Sequence, residues 1–223
     1  MGILGGGAHD NAVERRRRAY EILDAVDGDP TRARGRAVRC CEMARNLFRE
    51  DGDMREARGL LRGGLMQSHA DYGTIYRGWI AMEVDSGNID AARFLFLEWR
   101  SQCGGKDGGF WCSYITFESR HGGALRARAV AEAAVAACPE DPAVHAKYAK
   151  TELRLDRKDS AFAALARALA VFAGDPVAQE WLVDEVRGYR DALRRQGFAG
   201  RLRACCRRFV RPSRARHGYE RLH

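Results

Sequence analysis

Hydrophobic positions recur along this chain at helical spacing, in four stretches of similar pattern that each end at a Gly or an Asp. Residues three, four, seven and eleven positions apart share one face of a helix, so each stretch predicts a helix with one buried face. In each stretch this face includes the residues eleven and eight positions before the terminal Gly or Asp. These pairs are Cys41/Ala44, Tyr76/Trp79, Trp111/Tyr114 and His145/Tyr148. No segment alternates with a period of two, so no strand is predicted.

A turn separates each of these helices from a second helix. The turn residues are Gly52, Gly87, Gly122 and Asp156, at intervals of 35, 35 and 34 residues. Gly and Asp tolerate the left-handed backbone that ends many helices, so a reversal of the chain is predicted at each of them. Five and six residues after the turn come the pairs Ala57-Arg58, Ala92-Arg93, Ala127-Arg128 and Ala161-Phe162.

Three Asp-Pro pairs mark further helix starts, because Asp caps free N–H groups and Pro fits the first helical position. They are Asp29-Pro30, Asp141-Pro142 and Asp175-Pro176. The pattern predicts an all-α fold, an α-solenoid of stacked antiparallel helix pairs with a period of 34–35 residues. The predicted domains are an N-terminal segment with a basic helix (1–29), a repeat domain (30–186) and an Arg-rich C-terminal tail (187–223).

The repeat resembles the HAT (half-a-tetratricopeptide) repeat, a relative of the tetratricopeptide repeat. The third copy carries the resemblance with Trp111, Tyr114, Glu118, Gly122, Ala127 and Arg128. The first copy lacks the aromatic residues and the Glu, and the fourth lacks the Arg. The resemblance covers about residues 30 to 185 and implies a right-handed solenoid that serves as a scaffold in RNA processing. Ordinary tetratricopeptide units, which chiefly bind peptides, are the alternative.

The charged residues are distributed unevenly along the chain. The 223 residues are 46% hydrophobic and 30% charged, which argues against global disorder, and no apolar stretch is long enough to span a membrane. The net charge of +8 is concentrated at one end. Residues 187–223 hold 12 Arg against Asp191 and Glu220, a net charge of +10, whereas residues 1–186 carry −2. Such a basic block is either a solvated arm or an arm that binds phosphate or an acidic partner.

Two sets of basic residues are candidates for binding RNA or a protein partner. If the first helices line a concave groove, its cations are Arg39, Arg49, Arg77, Arg120, Lys150 and Arg154. The tail candidates are Arg201, Arg203, Arg207 and Arg208, around a helical stripe formed by Leu202, Cys206 and Phe209. Arg side chains bind phosphate oxygens, and basic arms that order on nucleic acid have this pattern. A solvated face or a peptide groove has a similar composition, and a basic amphipathic helix at a membrane surface is a weaker alternative.

The sequence shows no pattern typical of a catalytic or metal-binding site. The odd number of cysteines, seven, and the lack of CxxC spacing fit neither a disulfide framework nor a zinc site. The six histidines show no metal-binding spacing. The repeated Glu83, Glu118 and Glu152 are predicted to pair with arginines of the second helices, such as Arg93 or Arg128, rather than to act as catalytic acids. No catalytic residue, metal or cofactor is therefore predicted.

These patterns favour a non-enzymatic scaffold in RNA processing or ribonucleoprotein assembly, which binds a protein partner, RNA or both. The alternative is a tetratricopeptide-type peptide-binding adaptor without RNA contact. Unpaired cysteines indicate a reducing intracellular compartment, either the nucleus or an organelle such as a chloroplast or mitochondrion.

Overall fold

The helices lie where the hydrophobic periodicity places them. The computed structural model describes Glu14, Arg17, Glu21, residues 32–67 and residues 71–209, with the backbone alone at residues 51, 192, 193 and 196–209. Over these residues the chain is helical with short turns and contains no strand. The helices are α1 (Ala33–Asp51), α2 (Met54–Leu65), α3 (Tyr72–Asp85), α4 (Ile89–Gln102), α5 (Gly108–His121), α6 (Gly123–Ala137), α7 (Pro142–Arg154), α8 (Lys158–Val171) and α9 (Pro176–Phe209).

Neighbouring helices pack in sequence order. The chain forms two compact units, residues 1–144 and 145–223. In the first unit α1 packs on α2, α3 on α4 and α5 on α6, and the first helices α1, α3 and α5 also contact one another in succession. In the second unit α8 packs on α9. This order is the one expected of an α-solenoid, so the predicted all-helical architecture is confirmed at that level.

Both Asp-Pro helix starts that the structure describes have the expected form. Helices α7 and α9 begin at Pro142 and Pro176. The backbone N–H of Ala143 donates to Asp141 Oδ1 at 2.8 Å, and that of Ala178 donates to Asp175 Oδ1 at 2.9 Å. The third pair, at residues 29–30, lies outside the described residues.

The left-handed turn residues match the prediction in three repeats and differ by one position in the other. Gly52, Gly87 and Asp156 have φ values of +65°, +80° and +57°. In the third repeat the prediction of Gly122 is wrong, because Gly122 has φ −100° and the left-handed residue is Gly123, at φ +80°. Helix α5 continues to His121 and the Gly122 N–H still donates to the Glu118 carbonyl at 2.9 Å, so the reversal comes one residue later.

Aromatic side chains build the core of the first unit. Trp99 stacks on Tyr76, with ring centroids 5.8 Å apart and planes 7° apart, and meets Phe110 edge-on at 5.4 Å. Tyr76, Trp79 and Trp111 are buried, as predicted, whereas Tyr114 is half-buried. In the second unit alanines fill much of the core, and the buried ring of His145 packs edge-on against Phe172 at 5.6 Å, in agreement with the predicted packed histidine.

The predicted domain boundary between residues 186 and 187 lies inside α9. This helix is 34 residues long, whereas the other described helices have 12 to 19. Its N-terminal part is anchored by the buried side chains of Leu182 and Val186. The first 23 residues of the basic tail, 187–209, therefore continue the same helix.

Candidate partner-binding surfaces

A buried carboxylate in the second repeat joins it to the first. Glu83 on α3 is 1% exposed, and both of its oxygens accept hydrogen bonds of 2.8 Å from Arg58 on α2. Trp79 Nε1 and Asn88 Nδ2 donate to the same carboxylate at 2.9 and 3.1 Å. Burial by itself raises the pKa of Glu83, but these hydrogen bonds outweigh it and hold the pKa below its ordinary value. Glu83 is therefore a fully satisfied structural anion.

The third repeat is joined to the second in the same way. Glu118 on α5 is 1% exposed and accepts hydrogen bonds from Arg93 Nε and Nη2 on α4, at 2.7 and 3.4 Å. Arg93 also lies over the ring of Phe117, 5.7 Å from its centroid. In both pairs the acid follows the arginine by 25 residues. Glu118 thus pairs with an arginine of a second helix, as predicted for the repeated glutamates, and the pair links consecutive repeats.

In the fourth repeat the glutamate pairs with an arginine from a different position. Glu152 on α7 is fully buried, and Arg157 Nε, in the turn that follows, lies 3.0 Å from its Oε2. Arg128 on α6, which was also a predicted partner for the repeated glutamates, forms an ion pair with Glu132 of its own helix at 3.4 Å. Each of the three glutamates therefore has an arginine partner, which supports the structural role predicted for them.

The predicted groove cations fall into two groups. Arg49 on α1 lies 3.8 Å from Asp85 on α3, and Lys150 on α7 forms an ion pair with Glu185 on α9. Arg77 lies over the Trp99 ring, 5.6 Å from its centroid. These three cations are thus engaged within the protein. The remaining three are exposed and form no ion pair with the described residues: Arg39, Arg120 and Arg154.

The predicted tail cations lie on the C-terminal part of α9. Positions 201, 203, 207 and 208 belong to this helix, but their side chains lie outside the described part of the chain. Nearer the repeats, Arg187 pairs with Asp184 at 3.2 Å and Arg190 with Asp191 at 3.3 Å. The acids that offset positive charge on α9 are therefore confined to the part before residue 192.

A cavity of about 380 Å³ lies between α2, α3 and α4. Its lining residues are Arg62, Leu65, Met66, Tyr72, Tyr76, Trp79, Glu98, Ser101 and Gln102. Burial, with the nearby Glu98 and Tyr72, raises the pKa of Tyr76 to about 12, so its phenol stays neutral and can donate a hydrogen bond. Met66, 80% exposed, lies at this cavity. No sequence pattern indicates this cavity, because its lining residues come from three helices and share no spacing.

A second cavity, of about 480 Å³, lies in the second unit between α8 and α9. It is bordered by Leu169, Pro176, Gln179, Glu180, Val183, Asp184 and Arg187. Gln179 Nε2 donates to the Leu169 carbonyl at 2.9 Å, which ties the start of α9 to α8. Two acids and one arginine give this surface no strong preference for anions.

Burial keeps three of the described cysteines in the thiol form. Burial raises the pKa of Cys40 to about 12 and that of Cys41 to about 11, and it also raises the pKa of Cys138. Thiols with such values are protonated at neutral pH and react slowly. All five cysteines with described side chains are free of disulfides. Among the described residues, no three His, Cys, Asp or Glu side chains are grouped so that they could hold a metal ion.

Comparison with known proteins assigns no family. The sequence matches no protein-family model, and no curated protein matches it. Within the part of the chain that the structure describes, every helix is too short or too polar to cross a membrane.

Proposed function

We propose that this chain is a non-enzymatic helical-repeat scaffold in RNA processing or ribonucleoprotein assembly. Its repeats would hold a protein partner, and its basic C-terminal segment would bind RNA phosphates. The observation that carries this proposal is the separation of charge, with +10 on residues 187–223 and −2 on residues 1–186. A local excess of arginine attracts a polyanion and releases its counterions on binding. The HAT-like repeat pattern supports the same assignment.

The contacts of the groove cations favour the C-terminal segment as the RNA-binding part. Arg49 and Lys150 already have acidic partners, and Arg77 is held over Trp99. An arginine or lysine that must leave an acid before it binds phosphate gains less from the exchange. Residues 192–209 contain six arginines and no acid, so they offer phosphate more uncompensated charge.

Binding to single-stranded RNA across a salt series tests this assignment. The tail variant Arg201→Glu, Arg203→Glu, Arg207→Glu and Arg208→Glu is compared with the full-length chain. We expect the intact chain to bind with a steep dependence on log salt, and the tail variant to lose both the affinity and most of that slope. Charge reversal is preferable to truncation at residue 187, because that cut would fall inside α9.

A groove variant of the same charge is the matched control. Reversal of Arg39, Arg49, Arg120 and Arg154 to Glu changes the net charge by the same amount, at exposed positions of the repeats. We expect it to retain most of the RNA affinity. Equal losses in the two variants would mean that net charge alone drives binding. If the intact chain does not bind RNA above background, its RNA role is overturned.

A tetratricopeptide-type peptide-binding adaptor is the second candidate. The aromatic cavity between α2, α3 and α4 favours it, because a partner side chain can insert into a cavity of about 380 Å³. For an adaptor, substitution of Arg77 and Lys150 abolishes capture of the partner, while the tail variant leaves capture unchanged. Pull-downs with the two variants separate these functions.

A further inference from the structure

We infer that the basic segment binds single-stranded RNA along one side of a preformed helix, through a linear stripe of arginines on α9. The stripe consists of Arg187, Arg194, Arg201 and Arg208, each seven residues after the one before. This inference rests on the proposed function and deepens it, because it assigns the phosphate contacts to a subset of the basic residues. It also divides the four tail arginines identified from the sequence: Arg201 and Arg208 lie on the stripe, and Arg203 and Arg207 do not.

The continuity of α9 creates the stripe. The helix runs without interruption from Pro176 to Phe209, so all four positions belong to one rod. Seven residues are close to two turns, and successive stripe positions therefore drift by only about 20° around the axis. With a rise of 1.5 Å per residue, neighbouring positions are about 10 Å apart and the stripe is about 31 Å long. In a flexible arm the same arginines would share no face.

The remaining arginines between Asp191 and Phe209 lie on different sides of the helix. Arg195, Arg203 and Arg207 are each about 100° or more from the centre of the stripe by backbone register. An RNA strand that follows the stripe therefore passes farther from these positions than from the stripe arginines. Counted from Arg194 onward, the stripe also has three arginines, so the two sets carry the same charge on the same stretch of helix and offer a matched comparison.

The positive charge that no acid of α9 offsets increases along the stripe toward Arg208. Arg187 and Arg190 have Asp184 and Asp191 as partners, at 3.2 and 3.3 Å. Beyond Asp191 the helix contains no acid up to Phe209. The positions from Arg194 onward are therefore the ones at which a phosphate meets no competing carboxylate on this helix.

The residues that border the stripe favour a single strand over a duplex. Gly197 and Ala204 lie along one border by backbone register, and their small side chains let a phosphate chain come close to the helix. Phe198 and Phe209 lie along the other border, about 50° and 70° from the stripe centre. Aromatic side chains stack on unpaired bases, whereas the bases of a duplex are already stacked on one another.

The matched test compares two triple variants of the full-length chain. The stripe variant is Arg194→Gln, Arg201→Gln and Arg208→Gln, and the off-stripe variant is Arg195→Gln, Arg203→Gln and Arg207→Gln. Gln is a helix former comparable to Arg, so α9 is expected to persist in both, which circular dichroism checks. The probe is a single-stranded oligouridine, titrated across a salt series.

We expect the stripe variant to lose about 2 units of the log-log salt slope, since each phosphate contact on a single strand contributes about 0.7. The off-stripe variant is expected to lose less than about half of that amount. If both variants lose the same slope, the stripe is overturned while phosphate binding by the tail still stands. If the unmodified chain fails to bind the oligonucleotide, the proposed function itself falls.

Interrupting the helix without changing its charge gives an independent check. Gly200→Pro breaks α9 between Arg194 and Arg201, because proline has no N–H to donate and its ring clashes with the preceding turn of the helix. We expect RNA affinity to fall by about tenfold, as for the loss of two phosphate contacts. Unchanged affinity would show that the arginines act without helical register.

The Phe198→Ala and Phe209→Ala pair should weaken binding of oligouridine but not of duplex RNA, and the opposite result would contradict a single-stranded ligand.

Discussion

The buried glutamates of the second and third repeats differ from that of the fourth in where their arginine comes from. Glu83 and Glu118 are bound by Arg58 and Arg93, each from the second helix of the preceding repeat. Glu152 is bound by Arg157, which belongs to the turn of its own repeat. An identical buried carboxylate can therefore fix the register between two repeats or the geometry of one turn. Only a carboxylate bound by an arginine of the preceding repeat couples the stability of neighbouring repeats.

Removal of the cross-repeat arginine should have the largest effect. Arg93→Ala leaves the carboxylate of Glu118 buried without its bidentate partner, and breaking a buried pair in this way costs about 3 kcal/mol. Urea unfolding measures the loss. Arg157→Ala is the control, and we expect a smaller cost of about 1 kcal/mol because Arg157 is 48% exposed and Glu152 has further interactions. Equal costs for the two variants would contradict the distinction between them.

Substitution of the turn glycines by alanine should destabilise the protein less, and the cause differs between Gly122 and Gly87. A Cβ at Gly122 would overlap the Glu118 carboxylate, so Gly122→Ala should displace Glu118 from Arg93 and destabilise the protein by about 2 kcal/mol. Gly87→Ala meets no neighbour within 4 Å but must adopt φ +80°, which costs about 1 kcal/mol.

Gly174→Ala provides the neutral reference for both glycine substitutions. A Cβ at Gly174 meets no atom within 4 Å, and its φ lies outside the left-handed region. Thermal unfolding ranks the three variants. A cost for Gly122→Ala no greater than that for Gly174→Ala would show that Glu118 moves freely, contrary to the tight contact described.

Acid should remove the contribution of Glu83, which we expect to be the smallest of these effects. Its folded pKa lies below that of an unfolded glutamate, about 4.3, so its stabilisation is complete above about pH 5 and is lost as the pH falls through the folded pKa. Glu83→Gln should therefore flatten the fall in unfolding free energy below pH 5, and Glu140→Gln, at an exposed position, should not. A wild-type slope retained in Glu83→Gln would refute this assignment.

The helices and several of their ends could be predicted because they depend on residues close together in the sequence. Helical spacing predicts that Tyr76, Trp79 and Trp111 are core residues, and they are buried. The capping aspartates predict helix starts at Pro142 and Pro176, where α7 and α9 begin. The position of the third turn could not be predicted. Two adjacent glycines fit it equally well, and the end of α5 at His121 decided between Gly122 and Gly123.

The candidate binding surfaces were only partly predictable, since the exposure of a cation can be inferred from periodicity but its acidic partner on another helix was not indicated. Arg39, Arg120 and Arg154 are exposed as expected. The acids that engage Arg49 and Lys150 lie 36 and 35 residues away, on the next first helix. No local pattern indicates such a partner.

The sequence by itself determined the period of 34–35 residues, the helical class and the charge of the C-terminal segment. These properties follow from the 3.6-residue geometry of a helix and from composition, which act within one segment. The tertiary structure alone decided that Arg58 and Arg93 reach forward to the next repeat and that three helices enclose an aromatic cavity. Contacts of this kind depend on how helices distant in sequence pack, because side chains from separate helices meet only after the chain has folded.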